Sequence, residues 1–144
     1  RRQVVAELEH TDGMARLAAR RMGQMCVLEY DLDRQRIRGW VGGEDRPLHP
    51  VDLPRTQRID RMIVGRANRQ GDRAARHDSG RVRIVFSNSG CSASYAVRLA
   101  TGDGQGETSW LVFSGLTGQV STNHEETEVD SLFRMLAAGR PDAD

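Results

Sequence analysis

Lysine is absent from this chain of 144 residues: the 21 basic side chains are all arginine, set against 20 acids, for a formal net charge of +1. Cysteine is nearly absent. Cys26 and Cys91 are the only two, and they stand far apart, in no C-x-x-C or metal-ligand spacing; in an exported protein they could pair, but two separate, partly buried thiols is the preferred reading. No apolar run approaches the ~18 residues that a membrane-spanning helix requires. Aromatics contribute 5% of the residues and proline four positions. What is present is 38% apolar and 28% charged residues with 15 glycines, the mixture of a globular chain with generous loops and enough length for one core.

The charge is unevenly placed. Residues 55–83 hold nine arginines against three acids, and residues 101–144 hold eight acids against two arginines. Arg66, Arg69, Arg73 and Arg76 make the basic segment a candidate contact for an anion or for a partner's acidic surface.

Residues 2–24 have helical periodicity. Val4, Leu8, Ala15, Ala18 and Met22 recur at three- and four-residue steps with Leu17 beside them, while Arg16, Arg20 and Arg21 are expected to point outward. Asp12-Gly13 weakens the middle and Gly23 is a C-terminal stop. The period then falls to two. Residues 26–32 and 35–41 form a hairpin about Asp33-Arg34, and a polar loop with Pro47, Pro50 and Pro54 leads to a strand over 58–64. Residues 65–80 contain no large apolar side chain and are expected to form an exposed, mobile loop, so that deleting 68–78 would cost little stability. Val82, Ile84 and Phe86 share one strand face. After the turn Ser87-Asn88-Ser89-Gly90, so do Ala93, Tyr95, Val97 and Leu99. With Trp110–Phe113 these predict a three-stranded antiparallel meander. An acidic stretch then leads to a short helix over 128–138 with Val129, Leu132, Phe133 and Leu136 on its apolar side. The expected fold is α+β, an N-terminal helix packed on antiparallel sheet, with three parts: helix 1–24, β domain 25–122, and acidic tail with helix 123–144.

Chemistry-bearing patterns are sparse. His10, His49, His77 and His124 are scattered and lack metal-ligand grouping. Ser89-Gly90-Cys91-Ser92 lacks a marked base and the nucleophile-elbow pattern, and its turn residues already explain it. Gly102, Gly104 and Gly106 precede a strand, where phosphate cradling needs a helix to follow. Glu125, Glu126, Glu128 and Asp130 with Asp103 carry enough carboxylate for calcium but no EF-hand spacing, which favours a solvated acidic tail. No catalytic residue, metal or cofactor is expected, and the chain reads as a non-enzyme.

Three segments together resemble minor pseudopilins of the GspH/FimT type. They are the helix end Ala15–Gln24 running into Glu29-Tyr30-Asp31-Leu32-Asp33, the pair Ile84–Gly90 and Tyr95–Leu99, and the closing Leu111–Val120 with its Thr117-Gly118-Gln119-Val120 ending. The resemblance implies a pilin-like fold and a structural subunit of a type II secretion system, with no catalysis. It implies pseudopilin or pilin partners through the N-terminal helix and sheet, and secreted protein as cargo. It also implies an apolar helix before Arg1 that holds the subunit in the inner membrane, with the sheet domain in the periplasm. A related implication is a minor type IV pilin that takes up DNA through Arg-rich loops. The acidic 101–144 segment argues against DNA.

Overall fold

A computed structural model describes residues 2–65 and 74–138 of the chain. Helix α1 (Arg2–Met22) spans 21 residues, about 31 Å at the α-helical rise. Its buried stripe is Val4, Leu8, Asp12, Ala15, Arg16 and Ala19. Gly13 lies on the exposed side and does not interrupt the helix. The helix ends where Gly23 turns left-handed at φ 62°, which lets Gln24 N donate back to Ala19 O.

Among the described residues nine strands follow: β1 (Cys26–Asp31), β2 (Arg36–Val41), β3 (Val51–Asp52), β4 (Gln57–Val64), β5 (Ala75–His77), β6 (Arg81–Phe86), β7 (Tyr95–Thr101), β8 (Ser109–Phe113) and β9 (Val120–Asn123). They form two antiparallel sheets, one ordered β3-β2-β1-β6 and the other β5-β4-β7-β8-β9. The fold is α+β, an N-terminal helix with two antiparallel sheets.

The β1–β2 turn is set by Asp31, whose Oδ1 accepts from the amides of Asp33 and Arg34 at 3.1 and 3.0 Å. Gln35 extends this turn into the second sheet. Its Nε2 donates to Ile59 O at 2.8 Å and its Oε1 accepts from Ile59 N at 2.7 Å.

One core gathers the α1 stripe with the inner faces of both sheets, including Leu28, Tyr30, Ile37, Ile84 and Phe86 from the first and Ile59, Tyr95, Val97, Leu111 and Phe113 from the second. A smaller core lies on the other face of the second sheet. There helix α2 (Glu126–Ala138) sets Val129, Leu132 and Phe133 against Ile63, Ala96, Trp110 and Val112.

Four expectations are corrected. The meander does not run through 81–86, because β6 pairs with β1 in the first sheet while the meander is β7-β8-β9 in the second. Alternation of apolar residues reports which face of a strand is buried, not which strand lies beside it. Within the expected loop, residues 66–73 lie outside the described residues, but β5 pairs with β4 and Ala74 packs on the smaller core. Removing 68–78 would therefore take away packed chain. Arg16 is buried, not outward-pointing, and Met22 is exposed.

Candidate functional site

The feature that ties α1 to both sheets is polar. Asp12 lies one turn after Leu8 on the buried stripe and Arg16 one turn after Asp12, so both side chains enter the interior at 1% and 4% exposure. Arg16 Nε donates to Asp12 Oδ2 at 2.8 Å and Nη2 to Oδ1 at 3.3 Å. Its Nη1 donates to Gly115 O at 2.8 Å and Gly90 O at 3.2 Å, and Nη2 also reaches Ser92 Oγ at 3.3 Å. All five guanidinium N–H groups are thereby satisfied. Tyr95 donates its hydroxyl to Asp12 Oδ1 at 2.6 Å and shares a 3.0 Å hydrogen bond with the Tyr30 hydroxyl. Burial pushes both phenols far above their ordinary value. Stacking of Tyr95 on Phe113 (ring centroids 4.7 Å) and of the Arg16 guanidinium over Phe86 (5.0 Å) closes the assembly.

Glycine makes this approach sterically open. A Cβ at Gly115 would overlap the carbonyl oxygen of Ser92, so only glycine lets the β8–β9 turn lie against the 92–94 backbone. Gly90, at φ 83°, faces the side chain of Arg20 and the backbone of Arg16. The segments Phe86–Gly90 and Phe113–Gly118, singled out in the sequence, are thus the two turns that deliver carbonyls to Arg16.

The other side of α1 is open. Gln3, Ala6, Glu9, His10, Gly13 and Met14 are exposed. A mainly apolar groove of about 370 Å³ runs beside the first half of the helix, between Val5, Ala6 and Glu9 and the strand residues Leu111 and Thr122. A tighter one of about 140 Å³ separates His10 and Met14 from Leu48 and His49.

Of the four arginines singled out as candidate contacts, Arg76 alone lies among the described residues. Arg66, Arg69 and Arg73 lie outside the described residues. Arg76 is engaged within the chain: it donates to Glu126 Oε2 at 3.0 Å and to Asp130 Oδ1 at 2.8 Å, while Arg61 reaches Glu126 Oε1 at 2.8 Å. Burial raises the Glu126 carboxyl, but hydrogen bonds from Arg61 and Arg76 outweigh it and hold the group below its ordinary value. The basic and acidic segments therefore meet each other inside one chain and dock α2. These two carboxylates are not a free solvated tail. Among the described residues no three His, Cys, Asp or Glu side chains are grouped to hold a metal ion.

The Ser-Gly-Cys-Ser turn is occupied by structural hydrogen bonds. Ser92 Oγ donates to Ala93 O at 2.9 Å, and Ser87 Oγ bonds Ser89 Oγ at 2.8 Å. Both cysteines are free thiols. Burial pushes the Cys26 thiol up to about 11.

No protein-family model matches the chain, and neither curated proteins nor solved structures give a match.

Asp12 and Arg16 escaped the sequence reading because charged residues on a helix default to its solvated face. The signal available was their spacing: an acid four residues after Leu8 and an arginine four residues later lie on the apolar stripe itself.

Proposed function

We propose that this chain is the globular part of a structural subunit of the minor-pseudopilin kind. In this reading it assembles with other pseudopilins of a type II secretion system into a periplasmic pseudopilus used for protein export. The carrying observation is the asymmetry of α1. One face is locked to both sheets through Asp12 and Arg16, while the opposite face, with its flanking grooves, is left open along the helix. A subunit that stacks by its N-terminal helix needs both properties: a rigid joint between helix and sheets, and a helix surface free to meet neighbours.

Two further features support the reading. The helix leads directly into antiparallel sheet, and the motif-bearing turns that suggested the resemblance are the ones that hold Arg16. The subunit would be anchored in the inner membrane by an apolar helix preceding Arg1, with its sheets in the periplasm. Secreted protein would be its cargo.

The test is the full gene product, expressed with and without a prepilin peptidase. A leader cleaved by that peptidase, followed by about twenty apolar residues, is the expected result. A start codon close to Arg1, or a conventional secretory signal, overturns the assignment.

A further inference from the structure

The outer face of the first sheet carries a regular array that the helix-based reading does not use. Antiparallel register places Val27 between Trp40 and Val85, Glu29 between Arg38 and Arg83, and Asp31 between Arg36 and Arg81. Glu29 is 1% exposed, yet it sits on the face opposite the core residues Leu28 and Tyr30. It is covered by its own partners. Arg38 Nη2 donates to Oε1 and Arg83 Nε to Oε2, both at 2.9 Å. Burial raises the Glu29 carboxyl, but the two arginine hydrogen bonds prevail and keep it below its ordinary value. The same two guanidinium groups lie over the Trp40 ring, 5.9 and 5.3 Å from its centroid. Arg38 and Arg83 are thus aimed by a buried carboxylate and an indole while about half of each side chain stays exposed.

Three observations define what this face would accept. Its four arginines, Arg36, Arg38, Arg81 and Arg83, outnumber the three acids Glu29, Asp31 and Asp52, the last paired to Arg36 at 3.3 Å. The surplus positive charge therefore lies toward Arg83 and Arg38 and calls for acidic groups. Among the described residues strand β6 is an edge, paired with β1 alone, and so offers its outer backbone groups to an added strand. Along that edge Val85 is 47% exposed beside Arg83 and Arg81. Charged side chains often guard a sheet edge against pairing. Here, however, Arg83 is held back over Trp40 and Glu29, and an exposed valine shares the edge. A second copy adding its own β6 would bring Arg81 and Arg83 near their duplicates, an unfavourable like-charge pairing.

We propose that β6 and the arginine-tryptophan face beside it form a docking site for an extended acidic segment of a partner protein, which adds as an antiparallel strand. Cross-strand neighbours lie about 5 Å apart. The matching pattern, read from the partner's N-terminal side, is therefore apolar-x-acidic-x-acidic: the apolar side chain beside Val85 and the two carboxylates beside Arg83 and Arg81.

The test uses the whole chain and the peptide acetyl-Thr-Val-Thr-Glu-Thr-Glu-Thr-amide, followed by NMR. At peptide concentrations up to ~1 mM the amides of 81–86, the Trp40 indole N–H and the Arg83 Nε–H are expected to shift, and the β6 amides to gain exchange protection. Replacing both peptide glutamates by glutamine should weaken binding about tenfold or more, as should Arg83→Gln, because each removes charge-assisted hydrogen bonds. Val85→Glu, at an exposed position, removes the apolar contact from both peptides and should weaken the acidic peptide further than the glutamine peptide, because it also repels the acidic one. The proposal is overturned by any of four results: no shift at β6, equal binding of both peptides, self-association of the chain through β6, or an oligonucleotide that occupies this face more tightly than the peptide.

Discussion

Replacing Arg16 by methionine tests the joint between α1 and the sheets. The change keeps the aliphatic stem but leaves the Asp12 carboxylate, 1% exposed, with Tyr95 as its remaining partner. It also strips Gly90 O of the Arg16 donor and leaves Gly115 O with the Ser92 amide at 2.9 Å. Removing one member of a buried ion pair costs about 3–5 kcal/mol. A dry Gly90 carbonyl left without a donor would add about 1–3 kcal/mol, although its turn can lift and take water instead. The expected loss is therefore about 3–5 kcal/mol, a large part of the ~5–15 kcal/mol that holds a domain together. Urea unfolding followed by circular dichroism should show a midpoint lower by about 1.5–3 M at an unchanged slope. Asp12→Ala should be similarly harmful. The double variant should be less destabilised than the sum of the two, by about 2 kcal/mol, because the uncompensated charge disappears. A loss below about 1 kcal/mol for Arg16→Met, or strict additivity in the cycle, would refute the claim that this pair locks the helix.

Acid should release α2 before the main core unfolds. The Glu126 carboxyl is held below its ordinary value of 4.5. Its contribution is therefore complete above that pH and lost as pH falls through the depressed folded value. Fluorescence of Trp110, which shares the smaller core with Val129, should report that step, and Glu126→Gln should abolish its pH dependence; a step unchanged in the variant would contradict the docking role. The two thiols should differ sharply toward a thiol reagent at pH 8: Cys91, partly exposed, reacts in the native state, whereas Cys26, buried with its thiol pushed up to about 11, reacts only on unfolding. Equal native-state rates would contradict the burial of Cys26.

The sequence by itself determined the local elements. The shift of period from about 3.6 to 2 after Gly23 marks the end of α1, and the alternation of Val82, Ile84 and Phe86 fixes which side of β6 is buried. Ser87-Asn88-Ser89-Gly90 marks a turn. These are short-range facts, set by backbone sterics and by the geometry of one helix or one strand. Partner choice was decided only in three dimensions. Nothing local says that β6 joins β1 instead of β7, because a strand's alternation is the same whichever neighbour completes its ladder. Nor could composition place the two charged segments against each other, since Arg61 and Arg76 meet Glu126 only once α2 lies on the second sheet. The inward turn of Asp12 and Arg16 has the same origin. A buried guanidinium is tolerable only where every donor finds an acceptor, and for Arg16 three of those acceptors, on Gly90, Ser92 and Gly115, come from turns more than seventy residues away in the chain.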